Sequence, residues 1–129
     1  AAYTELEGIP WEHPSALQAG VWLTGKLKDY NTSAMLARRL VQMDPTDSLA
    51  LFRCSLALKR TGRLDDAIDF GERCRMRLPD HARNLTNLAD CYRLKGNMER
   101  AKQLANRALG LDAELQAAKQ ILERAESRV

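Results

Sequence analysis

The histidines, the cysteines and one adjacent pair of carboxylates are the first candidates for chemistry in this 129-residue sequence. His13 and His81 could serve as general bases, and Cys54, Cys74 and Cys91 as nucleophiles or metal ligands. Their spacing supports neither role. His13 precedes Pro14 and His81 follows Pro79-Asp80, so both belong to turns and read as solvated side chains. The three cysteines lack CxxC spacing and a metal-type pairing with histidine, and an odd number makes no disulfide framework. They read as small core hydrophobes, buried and reduced. Asp65 and Asp66 are consecutive, so a helix would point them in different directions, and they suit a helix start better than a catalytic pair. No GxGxxG or GxxxxGK phosphate cradle occurs. The expectation is a chain that is not an enzyme, with no metal site and no cofactor.

Composition says which elements hold these residues. Leu (20) and Ala (18) dominate, while Val and Ile together number 6 and aromatics are 5%, a mixture that favours helices over strands. Charged residues at 29% and hydrophobic ones at 45% fit a folded globular chain. The net charge of +3 is too mild for the dense basic stripe of a nucleic-acid binder. The uncharged stretch Ser15 to Gly25 is far shorter than the roughly 20 residues a membrane span needs. A cytoplasmic location is the default expectation, and a start at Ala1 stays compatible with a targeting segment removed upstream.

The elements repeat. Pro45 and Pro79 are 34 residues apart, as are Gly62 and Gly96. The same shift places Leu51 on Leu85, Leu58 on Tyr92, Asp65 on Glu99 and Ala67 on Ala101. Shifted once more toward the N-terminus, Leu17, Tyr30, Ala37 and Leu40 fall on the same frame. The units are 14–47, 48–81 and 82–115, followed by 116–129. In each unit the spacing i, i+3, i+4, i+7, as at Leu85, Leu88, Ala89 and Tyr92, gives one helix face; a turn and a second helix follow. Helices are predicted at 14–27, 31–43, 48–61, 65–77, 82–95, 99–111 and 113–127. The last carries a single apolar stripe (Ala117, Ala118, Ile121, Leu122, Ala125) and reads as a cap over Leu104, Ala105 and Ala108. Residues 1–13 contain Gly8 and Pro10 without helical period and read as an extended arm or linker.

A 34-residue helix pair of this pattern resembles the tetratricopeptide repeat. Unit three fits best, with Leu85, Leu88, Ala89, Tyr92, Gly96, Ala101, Ala105 and Ala108. Unit two has Ser55 at the small position and Gly71 where an aromatic is common; unit one has Val21, Thr24 and Lys28 at the small, aromatic and turn-glycine positions. The resemblance implies an all-α, right-handed superhelical solenoid of three helix pairs plus the capping helix. Its concave groove would be lined by the first helix of each pair and would hold a peptide or helix of a partner protein.

Projected onto this sequence, that groove carries Gln18, Trp22 and Lys26 from unit one; Leu49, Phe52, Arg53 and Leu56 from unit two; and Arg83, Asn87 and Asp90 from unit three. Ser15, Ala19, Lys59, Arg60, Thr86, Arg93 and Leu94 complete the face. Six of these residues are basic and one is acidic, so positive charge concentrates there, and the partner is expected to offer acidic and apolar side chains. The apolar members lie off the core stripe and are expected to be partly exposed. The resemblance also implies a comparison with the clamp by which some relatives grip chaperone C-termini, built from two Lys, one Arg and two Asn. Gln18, Trp22, Arg53, Arg83 and Asn87 stand at those positions and only Arg83 is kept in kind, so chaperone tails are not the expected ligand. The alternative to a peptide-binding module is a structural scaffold or self-association segment of a larger protein; binding to RNA is weaker still.

Overall fold

The computed structural model describes residues 13–127, and among them lie seven α-helices and no strand. They are α1 (Pro14–Lys26), α2 (Tyr30–Met43), α3 (Ser48–Arg60), α4 (Leu64–Arg77), α5 (Ala82–Leu94), α6 (Met98–Leu111) and α7 (Gln116–Glu126). The arm expected over 1–13 lies outside the described residues except for His13, whose extended backbone caps α1. No described helix is long and apolar enough to cross a membrane.

The 34-residue period is written into the helix ends. Residues 47 and 81 precede the first helices of their units: Asp47 accepts a hydrogen bond from the Ala50 N–H at 3.1 Å, and His81 Nδ1 accepts one from the Asn84 N–H at 3.1 Å. Asp29 and Asn97 cap α2 and α6 in the same way, at 3.3 and 3.2 Å. Such caps satisfy backbone donors that the helix leaves unpaired. His81 is therefore not the solvated bystander expected from its place between units. The tight turns inside the pairs put Gly62 and Gly96 at φ 81° and 91°, and Lys28 at φ 60°.

One boundary differs from the sequence expectation by more than one residue. The last helix begins at Gln116 rather than 113, because Asp112 is extended and its Oδ1 accepts from the Glu114 N–H at 3.1 Å. Asp44, one end of unit one, makes the same bond to the Thr46 N–H at 3.0 Å. The side-chain turn persists at 112 although Ala113 replaces the proline.

Each helix packs on the next, and first helices also meet first helices, α3 with α5 and α5 with α7. Leu17, Leu51, Leu58, Leu85 and Leu88 form the buried spine. Cys54, Cys74 and Cys91 are free and buried. Burial pushes the Cys54 thiol up to about 11 and Cys91 to about 12, and raises Cys74, so all three stay protonated and unreactive at neutral pH. Gly71 has a steric reason to be small: a Cβ there would lie 2.7 Å from Leu88 Cδ2 and 3.0 Å from Ser55 Oγ. Its carbonyl accepts from Asn84 Nδ2 at 3.0 Å, which ties α4 to α5.

Candidate functional site

The first helices and α7 present one continuous concave surface. Its first half, about 510 Å³, lies between α1 and α3, with Trp22 and Lys26 facing Leu49, Arg53, Leu56 and Arg60. The second half, about 350 Å³, runs from α3 across α5 to α7, where Gln120, Ile121 and Arg124 form the far wall. Phe52, Leu56, Arg60 and Arg83 border both halves.

Of the projected residues, Trp22, Lys26, Leu49, Arg53, Leu56 and Arg83 line this surface. Trp22 is 58% exposed, Leu49 is exposed and Leu56 half-buried, with Lys26 Nζ 5.8 Å from the indole ring centre. Gln18 is exposed on α1 but lines neither half.

Phe52 and Asn87 also line the groove, but both are buried there. Phe52 is only 6% exposed. Its ring meets His81 edge to face at 5.3 Å, and the Arg83 guanidinium lies 5.8 Å from its centre. The expectation of a partly exposed phenyl anchor is corrected: this ring supports the groove floor and positions Arg83. Asn87 is buried, and its Nδ2 donates to Ser55 Oγ at 2.8 Å while the Ser55 hydroxyl donates to the Ala67 carbonyl at 2.6 Å. Thr86 is buried as well, its hydroxyl donating to the Ala82 carbonyl at 2.8 Å.

The charges also divide. Asp90 Oδ2 accepts from Lys59 Nζ at 3.1 Å, and its Oδ1 accepts from Arg93 Nη2 and Nε at 2.8 and 3.0 Å. Burial alone would raise this carboxyl, but the two cations outweigh it and hold the group below its ordinary range. Lys59 and Arg93 are therefore committed to Asp90. Lys26, Arg53, Arg60, Arg83 and Arg124 make no ion pair among the described residues, and Arg60 instead lies 5.5 Å from the Tyr30 ring centre.

Arg124 and Gln120 were missed in the projection, although the signal was present. Adding 34 to Leu49, Phe52 and Leu56 gives Arg83, Thr86 and Asp90, and adding it again gives Ala117, Gln120 and Arg124. The capping helix is the fourth wall of the groove as well as its lid on the core. No group of three or more His, Cys, Asp or Glu among the described residues could hold a metal ion.

A tetratricopeptide repeat family profile matches residues 58–125, more than half of the chain. The chain belongs to the tetratricopeptide repeat family. No curated protein matches the sequence significantly. Among solved structures, the TPR domain of Arabidopsis OM64 aligns with a TM-score of 0.86 at 11% identity, over 92% of this chain and 98% of its own. The TPR2B domain of yeast Sti1, solved as a pHsp70 complex, aligns at 0.83 with 14% identity over 90% and 98%. The first TPR of Spaghetti (RPAP3), bound to the HSP90 peptide SRMEEVD, aligns at 0.84 with 13% identity over 94% and 96%. At these identities the likeness establishes the fold, an all-α solenoid of helix pairs.

Proposed function

We propose that this tetratricopeptide repeat chain is a non-catalytic protein-interaction module whose groove takes a peptide or helix of a partner carrying acidic and apolar side chains. The carrying observation is the set of cations left without an ion pair among the described residues, Lys26, Arg53, Arg60, Arg83 and Arg124, around exposed Trp22 and half-buried Leu56. Cations on one concave wall raise the encounter rate of an acidic segment, and an aromatic side chain desolvated on contact slows its release. The peptide bound by the Spaghetti domain, SRMEEVD, is of this acidic class. The clamp chemistry of chaperone binders is a poor guide to the contacts, because Asn87 is committed to Ser55 and Gln18 stands outside the groove.

The test is affinity capture with mass spectrometry, comparing the natural chain with the Arg53→Glu, Arg83→Glu double variant, followed by kinetics on the captured partner. The charge reversal is expected to abolish capture with an unchanged helical spectrum, since neither side chain is buried. Trp22→Ala is expected to raise the dissociation rate about tenfold, the effect of a contact worth roughly 1.4 kcal/mol. Undiminished capture by the double variant would move the binding surface to another face.

A further inference from the structure

The outer side of the solenoid, formed by the second helices, is charged differently in unit one. Helix α2 has two arginines and no acidic residue, whereas α4 has Asp65, Asp66, Asp69 and Glu72. The 34-residue frame shows where the difference falls. Asn31 stands where units two and three have Asp65 and Glu99, and Arg38 stands where unit two has Glu72. Asn31, Arg38, Arg39 and Gln42 line a cleft of about 410 Å³, and Arg63, from the turn before α4, also borders it. None of its lining residues is acidic.

A second cleft on the outer side serves as an internal control. Arg75, Arg100 and Arg107 border a space of about 420 Å³, but there the chain supplies the anions. Glu72 lies 2.7 Å from Arg75 and 3.8 Å from Arg100, and Asp80 lies 2.7 Å from Arg107. In the unit-one cleft a single carboxylate is divided between two guanidiniums, with Asp66 Oδ2 3.2 Å from Arg63 and 3.5 Å from Arg38. Arg39 is exposed and makes no ion pair among the described residues. Arg38 rests against the Phe70 ring, 5.8 Å from its centre, and Arg73 shares that ring at 5.0 Å.

We propose that this cleft binds a phosphorylated serine or threonine in an extended segment of a partner protein. The inference stands apart from the concave groove. Three guanidiniums less one carboxylate leave a net charge of two, which matches the charge of about −1.5 to −2 on a phosphate monoester at neutral pH. Three phosphoryl oxygens can each accept from a guanidinium, in charge-assisted and directional pairs. A lone carboxylate would bring one charge and two oxygens, which Asp66 already supplies. The length of the cleft calls for a peptide. Asn31 and Gln42 lie eleven residues apart on α2, about 16 Å, the reach of about five extended residues. Their side-chain amides offer both donors and acceptors to a peptide main chain. No aromatic ring lines the cleft to stack a nucleobase. Of its large apolar side chains only Met35 is exposed, too little to enter a membrane surface.

The experiment titrates the full chain with a blocked five-residue peptide, a phosphoserine with two alanines on each side, and follows backbone amide shifts by NMR. Saturable shifts are expected in α2 and in the turn at Arg63, with none around Trp22, and the unphosphorylated peptide should produce neither. Arg39→Gln is expected to weaken binding about tenfold, by removing one charge-assisted contact. Asp66→Asn is expected to tighten it severalfold, because it releases two guanidiniums; a merely structural role for Asp66 would not produce a gain. Arg107→Gln, in the cleft already neutralised, should leave the affinity unchanged. The absence of saturable shifts, an equal response to the unphosphorylated peptide, or undiminished affinity in Arg39→Gln would overturn the proposal. Adenosine monophosphate binding as tightly as the phosphopeptide would overturn it in favour of a nucleotide. Capture by phosphatidylserine vesicles that Arg39→Gln abolishes would overturn it in favour of a membrane surface.

Discussion

Units one and three fill the same positions with different residues. On the two packed helices of unit three, Ala89 and Ala101 are both fully buried. Unit one has Val21 and Ser33 there, and the added hydroxyl donates to the Val21 carbonyl at 3.2 Å. Unit two puts the hydroxyl on the other helix, with Ser55 bonding to Ala67. At the aromatic position Tyr92 donates to Glu72 Oε1 at 3.0 Å, whereas Thr24 is buried and satisfies itself on the Gly20 carbonyl at 2.7 Å. At these positions the repeat thus requires a bounded volume and a partner for any hydroxyl, and several residue types meet that requirement. Divergence from the family pattern in unit one is compensated locally, not tolerated as a defect.

If units differ mainly in local compensation, their stability depends on what covers them, and the cap gives the largest test. Ending the chain at Leu115 removes Ile121, whose burial alone is worth about 1.5–3 kcal/mol, along with Ala118 and Ala125. The loss is expected to be roughly 3 kcal/mol or more, and in a linear array it falls first on the neighbouring unit. Hydrogen exchange should accelerate in α5 and α6 well before α1 and α2; uniform acceleration would show that the units do not act separately. A smaller effect is expected at the seam. Gly71→Ala drives a methyl into Leu88 and Ser55, and overpacking of this kind costs about 1–3 kcal/mol. Denaturant titration measures it, and adding Leu88→Ala should recover part of the loss by removing the Leu88 atoms that the methyl strikes.

The helices were legible in the sequence because two signals agreed, the 34-residue translation and the apolar face within each helix. The concave face was implied by the resemblance to the family, projected onto the same frame. What was not legible depends on contacts between units. Phe52 lies on an outward-facing position of its own helix, and its burial comes from His81 and Arg83, some thirty residues on. Asn87 lines the groove but is buried, because Ser55 holds its Nδ2; that bond exists only because unit two has a hydroxyl at the small position. Arg124 is a different case, since the frame reaches it and required only continuation past residue 115.

The subtlest test lies in the turns, where units one and three predict effects of opposite sign. Lys28 holds φ 60°, a conformation that costs an ordinary side chain about 1–2 kcal/mol, while Gly96 adopts φ 91° without that penalty. Lys28→Gly relieves the strain but lets the unfolded chain gain about 0.4–1 kcal/mol of conformational freedom. The net expectation is a stabilisation of about 0.5–1 kcal/mol, a rise of a few degrees in melting temperature. Gly96→Ala should do the reverse by about 1 kcal/mol. A Cβ at Gly96 would meet no atom within 4 Å, so that loss would be conformational and not steric. Thermal unfolding of the two single variants decides the matter. Opposite shifts would assign the cost in unit one to the left-handed lysine. Shifts of the same sign would mean that the Lys28 side chain contributes more than its backbone costs, and that the turn glycine is not what unit one lacks.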